Sequence, residues 1–323
     1  MDFAQIKELK DKILDGYLIS AEEAFALSQS PNIEVLYYSA NQIRAKFKGR
    51  SFEMCAVLKV EQTKCVKDCK FCAYSQQSSS PIDEYGLMSE SEATNSAITL
   101  TDKNVKRISL ASTSNNITDE KLNKIIALSK SIRNTTGTKL CASFGNLSRQ
   151  QLKRLKDETD ISTYQCNLHT SMELYKKLCT SCSYEQKLAT LRTASELGFN
   201  ICCGVIIGIG ETMVERIAVA IKLREIGINI IPIHILSPQN NLTTAEATPA
   251  GSEDILTTIA LYRFINPRAD IRLGGGRSMI KIIEKEALRA GINGSTVGNM
   301  LTPDSFYEID DDRELFESEG FIV

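Results

Sequence analysis

The sequence is short of the features that would send it to a membrane, a polyanion or the outside of a cell. No stretch approaches the ~18 uninterrupted apolar residues of a membrane-spanning helix. The first residues, Met1-Asp2-Phe3-Ala4-Gln5-Ile6-Lys7, lack the basic segment, apolar run and small-residue cleavage site of a secretory signal. A cytoplasmic location is therefore expected. Neither sign of charge prevails, with 38 Lys and Arg against 40 Asp and Glu and a net charge of -2. That balance gives no electrostatic case for nucleic acid or an anionic membrane, and a small-molecule or protein-borne substrate is expected instead. Histidine is scarce, occurring only at His169 and His234, whereas cysteine occurs ten times. In a compartment that keeps thiols reduced, that many cysteines argue for metal or redox work over disulfides.

Three of the cysteines form Cys65-Val66-Lys67-Asp68-Cys69-Lys70-Phe71-Cys72, a C-x3-C-x2-C motif with an aromatic residue before the last. Such spacing can set three thiolates around one cubic iron–sulfur cluster and leave the fourth iron without a protein ligand. A fully ligated cluster only carries electrons, whereas an open iron can hold a small molecule and pass an electron into it. Zinc is the competing reading, although zinc ribbons usually close with a fourth Cys or His at short range. None follows Cys72 before Cys141.

At 323 residues the chain can form one large α/β barrel with short extensions. Residues 2 to 50 read as helices: Ile6, Leu9, Ile13 and Leu14 recur at helical spacing, and Ser20 precedes Glu22 and Glu23 as an N-cap would. An N-terminal helical cap over 1–50, a barrel over 51–300 and an extension over 301–323 are expected. Eight β-rich runs, at 54–60, 105–111, 138–144, 160–167, 200–207, 229–235, 269–274 and 293–298, alternate with amphipathic helices. The pattern predicts an α/β fold of the (β/α)8 TIM-barrel type with its chemistry at the carboxyl ends of the strands, an open doubly wound sheet being the alternative. Asp310-Asp311-Asp312 reads as a solvated turn.

Strand alternation then nominates inward-facing groups. Cys141 lies on the third strand, and Cys202 and Cys203 point to opposite faces of the fifth; Gln165, Asn167 and His169 share one face of the fourth. Arg272 precedes Leu273-Gly274-Gly275-Gly276-Arg277, whose glycines permit close backbone approach. Cys141 and Cys202 either pack as small buried residues or, opposite an inward arginine, hold a second metal centre. His169 and His234 both fall at strand ends, where catalytic groups collect, although a lone histidine is often structural. The run from Gly204 to Glu211 fits neither the P-loop nor the dinucleotide fingerprint and is read as a flat wall for an adenine ring.

Together these residues resemble the biotin synthase branch of the radical S-adenosylmethionine (SAM) enzymes, from about Asn41 onward. The resemblance rests on the cysteine motif with Ala73-Tyr74-Ser75-Gln76, on Asn167-Leu168-His169-Thr170-Ser171, on Gly204 to Thr212, on Arg272 to Arg277, and on Ala290 to Gly298 with Leu301-Thr302. It implies that Cys65, Cys69 and Cys72 bind a 4Fe–4S cluster whose free iron chelates SAM, with Phe71, Tyr74 and Ile206 holding the adenine. The peptide groups around Ala111 and Ser112 would meet the methionyl amine, and Asn167 and His169 would contact SAM or substrate. Lys187 stands where the family often has an arginine for the SAM carboxylate. A second, sulfur-donating cluster maps to Ser109, Cys141, Cys202 and Arg272, and Ser109 departs from the family's cysteine. Serine is a poor ligand for soft iron–sulfur units, so a remodelled second cluster of two or four irons is expected, with help from Cys179 and Cys182.

His169 and His234 also depart from the family, which usually has an acidic residue and an asparagine there. The resemblance thus implies radical sulfur insertion, by default dethiobiotin to biotin, with His169, His234 and Arg272 as the catalytic candidates. Lipoyl-synthase-like insertion into a carrier-bound octanoyl chain and a methylornithine-synthase- or hydrogenase-maturase-like reaction are the alternatives, and an iron–sulfur carrier or sensor is a reading of another class. A flavodoxin- or ferredoxin-type electron donor and a homodimer are also implied.

Overall fold

The β-rich runs become nine short strands in the computed structural model, which describes residues 1–237, 250–298 and 308–323. They are β1 Glu53–Glu61, β2 Arg107–Ser112, β3 Lys139–Ser143, β4 Thr163–Gln165, β5 Asn200–Cys202, β6 Val205–Ile207, β7 Ile230–Ile235, β8 Asp270–Leu273 and β9 Gly294–Val297. All pair in parallel, in the order β5-β4-β3-β2-β1-β9-β8-β7-β6, and β5 also pairs with β7. The sheet therefore closes, which settles the choice between barrel and open sheet. Leu301 and Thr302 lie outside the described residues.

β5 and β6 are two halves of one stave, so the barrel has eight. The break between them has a cause on the neighbouring strand, where Pro232 has no N–H to donate to the ladder. Gly204 faces it, and a Cβ there would stand 2.6 Å from the Pro232 carbonyl oxygen. The chain can pass this point only with glycine at 204.

Strand parity divides each stave cleanly. Met54, Ala56, Leu58 and Val60 of β1 join the main apolar core under the outer helices, as do Ile108 and Leu110, Leu140 and Ala142, and Ile231, Ile233 and Ile235. The other parity turns Cys55, Ser109, Cys141, Cys202, His234 and Arg272 into the lumen. The helices begin where their caps dictate: Ser89, Ser148, Ser183 and Thr212 each make a capping box with the Glu or Gln three residues on. The N-terminal helices Ala21–Ser28 and Ile33–Lys48 pack on the outer helices Met213–Glu225 and Ser252–Ile265.

Two helices were not foreseen from sequence. Met172–Leu178 follows β4 at the mouth, and Ile309–Ser318 overturns the solvated-turn expectation for Asp310–Asp312. The three aspartates form the first turn of that helix, where carboxylates suit the positive end of the dipole. Asp312 is buried and accepts from Arg277 Nη1 at 2.8 Å and Nη2 at 2.7 Å. Asp312→Ala leaves the buried Arg277 with one carboxylate fewer, and a loss of about 3 kcal/mol is expected. A drop in the thermal unfolding midpoint, absent in the control Asp311→Ala, checks it.

Candidate active site

Cys65, Cys69 and Cys72 hang in the loop after β1 and line one cavity of about 220 Å³ at the carboxyl ends of the strands. The loop is pinned by main-chain bonds, Cys65 N–H to the Tyr74 carbonyl at 2.7 Å and Lys70 N–H to the Leu178 carbonyl at 2.9 Å. Asp68, inside the motif, ties it to the loop after helix Met172–Leu178. Its carboxylate accepts from the Thr180 and Ser181 N–H groups, each at 3.0 Å, from Ser181 Oγ at 2.6 Å and from Thr180 Oγ1. Burial alone would raise its pKa, but these bonds, led by Ser181, hold it well below the carboxylate range.

The Asp68 knot carries Cys179 to the motif, where its sulfur lies 3.3 Å from Cys69 Sγ. As donor in that contact the Cys69 thiol is pushed up, and as acceptor Cys179 is lowered to about 6. Cys182 accepts from Asn146 Nδ2 at 3.0 Å and lines the same cavity with Cys166. The Cys179–Cys182 pair therefore sits at the mouth beside the first motif, apart from Cys141 and Cys202. Among the described residues no three Cys, His, Asp or Glu side chains stand at the spacing of a single metal ion.

Phe71 heads a small apolar cluster with Leu174, Leu178, Ile209 and Leu236, against which Ile206 packs. Beside it, the Gly208 and Ile209 N–H groups, which could have cradled a phosphate, are both taken by Glu211 at 2.8 Å. This wall is apolar and self-satisfied, as an adenine face requires. Tyr74 lines the cavity with its hydroxyl accepting from Lys59 Nζ at 3.0 Å. Ser112 lines it too, its Oγ donating to the buried Glu61 at 2.6 Å, and Ala111 precedes it at the end of β2.

His169 takes a left-handed conformation, φ 73°, which a non-glycine residue rarely adopts. Its ring lies 4.8 Å from Phe71, centroid to centroid, and no described residue bonds its Nδ1. Lys187 Nζ donates to the Asn167 carbonyl at 2.7 Å and stands 5.0 Å above the Tyr175 ring. Asn167 Oδ1 accepts from Gly204 N–H at 2.9 Å, and its Nδ2 lies 3.4 Å from His234 Nε2. His234 Nδ1 accepts from Gly275 N–H at 2.8 Å, which fixes the tautomer that carries hydrogen on Nε2. A Cβ at Gly274 would fall 2.5 Å from that same Nδ1, so the glycine run exists partly to seat this ring. Burial pushes His234 down to about 4, and burial, then Lys187, holds His169 well below its usual value.

Both histidines are therefore neutral above their folded pKa values, while in the unfolded chain they protonate near the ordinary 6.5. A folded pKa below the unfolded one gives stability that is complete above pH 6.5 and lost as pH falls toward 4. Denaturant titrations are expected to show a steeper decline between pH 7 and 5 in the native sequence than in His234→Gln.

Deeper in the lumen, Cys141 pairs in register with Ser109 on one side and Thr163 on the other. Arg107 Nη1 reaches Cys141 Sγ at 3.4 Å, and its Nε donates to Glu53 at 2.7 Å. The second oxygen of Glu53 pairs with Arg272, which is buried. Cys55 was not foreseen. It pairs in register with Arg107, whose Nη1 touches Cys141, so it borders the layer of Cys141, Cys202 and Arg272, and burial, then Cys141, raises its thiol. The signal was strand parity in Met54-Cys55-Ala56-Val57, which turns Cys55 inward. Among the described residues, Ser109 Oγ and Arg272 Nε are buried without a partner. Unpartnered polar atoms among soft thiols and a buried arginine are what a cluster-sized group would satisfy.

The chain matches the model of the radical SAM superfamily over residues 62–223 and that of the biotin and thiamin synthesis associated domain over 232–322. It is 36% identical to a biotin synthase of Parabacteroides distasonis, over 98% of this chain and 96% of that one. It is 38% identical to one of Clostridium tetani, over 98% and 97%. Among solved structures it resembles a methylornithine synthase, with TM-score 0.81 and 21% identity over 97% of this chain and 96% of that one. It also resembles an FeFe-hydrogenase maturase from Carboxydothermus hydrogenoformans, with TM-score 0.83 and 18% identity over 98% and 79%. At those identities the structural likeness speaks for the fold alone.

Proposed function

Because the chain belongs to the biotin synthase family of the radical SAM superfamily, and so is a radical sulfur-inserting enzyme that uses SAM and iron–sulfur clusters, we propose that dethiobiotin is its acceptor. The observation that carries this reading is the presence of two sets of thiols, Cys65, Cys69 and Cys72 at the mouth and Cys55, Cys141 and Cys202 deeper in the lumen. When bound, the upper cluster and SAM supply a deoxyadenosyl radical that removes hydrogen from an unactivated carbon, and the lower cluster supplies sulfur.

Cys65, Cys69 and Cys72 hold the upper cluster in this reading. Phe71, Ile206 and Tyr74 confine the adenine, the Ala111–Ser112 peptides meet the methionyl amine, and Lys187 meets the carboxylate. Asn167 and His169 line the SAM and substrate side. Cys141, Cys202 and Arg272 hold the lower cluster, and Cys55 supplies the third thiolate that Ser109 cannot. Cys179 and Cys182 serve the mouth, given the 3.3 Å contact between Cys179 and Cys69.

His234 acts as a fixed donor, its Nε2–H directed past Asn167 toward the acceptor's urea oxygen. His234→Ala removes that donor and leaves kcat nearly unchanged, raising KM by about 10-fold, the loss of one buried hydrogen bond. Steady-state kinetics under anaerobic conditions check the split. His234→Asn, the family's usual residue, is expected to recover most of the binding.

The donor of electrons is a flavodoxin- or ferredoxin-type protein, the acceptor is a free small molecule, and the enzyme works in the cytoplasm as a homodimer. No described helix is long and apolar enough to cross a membrane. Anaerobic turnover with dethiobiotin, SAM and a low-potential reductant tests the reading: biotin must appear together with 5′-deoxyadenosine. Deoxyadenosine formed without biotin rejects the acceptor.

A further inference from the structure

A second cavity lies at the other end of the barrel. Below the deep thiols, at the amino ends of the strands, a cavity of about 370 Å³ is lined by Lys48, Glu53, Lys106, Arg107, Lys139 and Asp270 among others. It is larger than the 220 Å³ cavity at the mouth and lies at the opposite end of the barrel from SAM and acceptor. Its cations are not all spent on its carboxylates. Lys48 pairs with Asp270 at 2.8 Å, and Glu53 is shared between Arg107 and Arg272. Lys106 is exposed and donates to an oxygen of Val323, which lines the same cavity, at 2.9 Å, whereas Lys139 is exposed with no partner among the described residues. An anion is what such a cavity draws in.

Arg107 forms the wall between this cavity and the deep layer. The residue lines the cavity, while its Nη1 lies 3.4 Å from Cys141 Sγ. Glu53 also lines the cavity and joins the same arginine to Arg272. A small anion resting at Lys106 and Lys139 is thus one side chain away from the thiols, and it competes with Glu53 for Arg107. A bulky organic anion would have to displace both Glu53 and Arg107 to advance.

We propose that the base cavity is a binding vestibule for a small inorganic sulfur anion, hydrosulfide, which reaches the deep site from the end of the barrel opposite the substrate. This rests on the sulfur-donor reading above, since a site that gives up sulfur must be resupplied while the mouth is filled by SAM and acceptor; hydrosulfide is already at the oxidation level of the sulfide it replaces, so it enters as a ligand without an oxidant and gives its one proton to water. Lys106 and Lys139 gather the ion, Arg107 passes it inward, and Glu53 closes the way by neutralising the arginines when no ion is present.

Two measurements on the reconstituted holoenzyme test it. Crystals soaked in bromide, a halide of hydrosulfide's charge and similar size, are expected to show an anomalous peak beside Lys106, Lys139 and Arg107, and the double reversal K106E/K139E is expected to lose it. Isotope-labelled sulfide is expected to enter the protein's acid-labile pool at least about 10-fold more slowly in the double reversal than in the native sequence, the scale of electrostatic steering into a charged cleft. The neutral pair K106Q/K139Q is expected to fall between them, and K124E, on a distant helix surface, to match the native rate. Absence of bromide from the base cavity, or equal uptake in the native and doubly reversed proteins, overturns the proposal and leaves the sulfur-donor reading standing. A native protein that takes up no label beyond the Cys65 cluster gives a different result: it rejects the donor reading and the hydrosulfide assignment with it.

Discussion

Replacing Cys65 or Cys72 with alanine, or Cys69 and Cys179 together, is expected to bring deoxyadenosine formation from SAM to background, a fall of more than about 100-fold, since even outer-shell damage to a metal site reaches that size. The three thiols share one cavity with Phe71, Tyr74 and Lys187, and in the proposed assignment no chemistry at that mouth survives loss of the centre they would hold. Cys69→Ala alone is the informative variant. Cys179 Sγ stands 3.3 Å from the thiol being removed and is the more acidic of the two, so it is the one side chain placed to substitute. The double variant C69A/C179A therefore falls at least as far as C65A. Chromatography of anaerobic reaction mixtures measures it, and residual cleavage in C65A and C72A alike would contradict the assignment.

Changing Cys55, Cys141 or Cys202 to alanine is expected to abolish sulfur insertion by a similar factor, more than about 100-fold, and to leave deoxyadenosine formation within about twofold of the native rate, because the altered site is not the one that binds SAM. The contrast between the two products is the test. Cys141 is touched by Arg107 at 3.4 Å and Cys55 shares its field with Cys141 and Arg272, so all three variants should behave alike. Product formation that survives C55A but not C141A or C202A would remove Cys55 from the ligand set. Mössbauer spectra of the reconstituted variants provide an independent readout, with the signal of the deep cluster lost and that of the upper one kept.

Much of this was legible in the sequence, and the parts that were not share a physical reason. Each of the eight staves falls where a β-rich run stood between helical patterns, because burial on one or both faces writes itself locally. The interruption at Cys203-Gly204 was not legible, as it depends on Pro232 across the ladder. Cys55 looks like any apolar strand residue until parity is counted from Met54 and Ala56. Asp312 finds Arg277 and Cys179 finds Cys69 only after the chain has closed on itself, and no local pattern carries those pairings. Strand alternation turned Cys141, Cys202 and Arg272 inward and the resemblance gave them a cluster, but neither could say that the Cys179–Cys182 loop stays at the mouth.

The knot around Asp68 joins two loops that lie 112 residues apart in the chain. Every bond in it runs between amino-acid groups, four from Thr180 and Ser181 to one carboxylate, so the cysteine loop and the Cys179–Cys182 loop are tied as one unit. A change at this single buried carboxylate therefore loosens both at once.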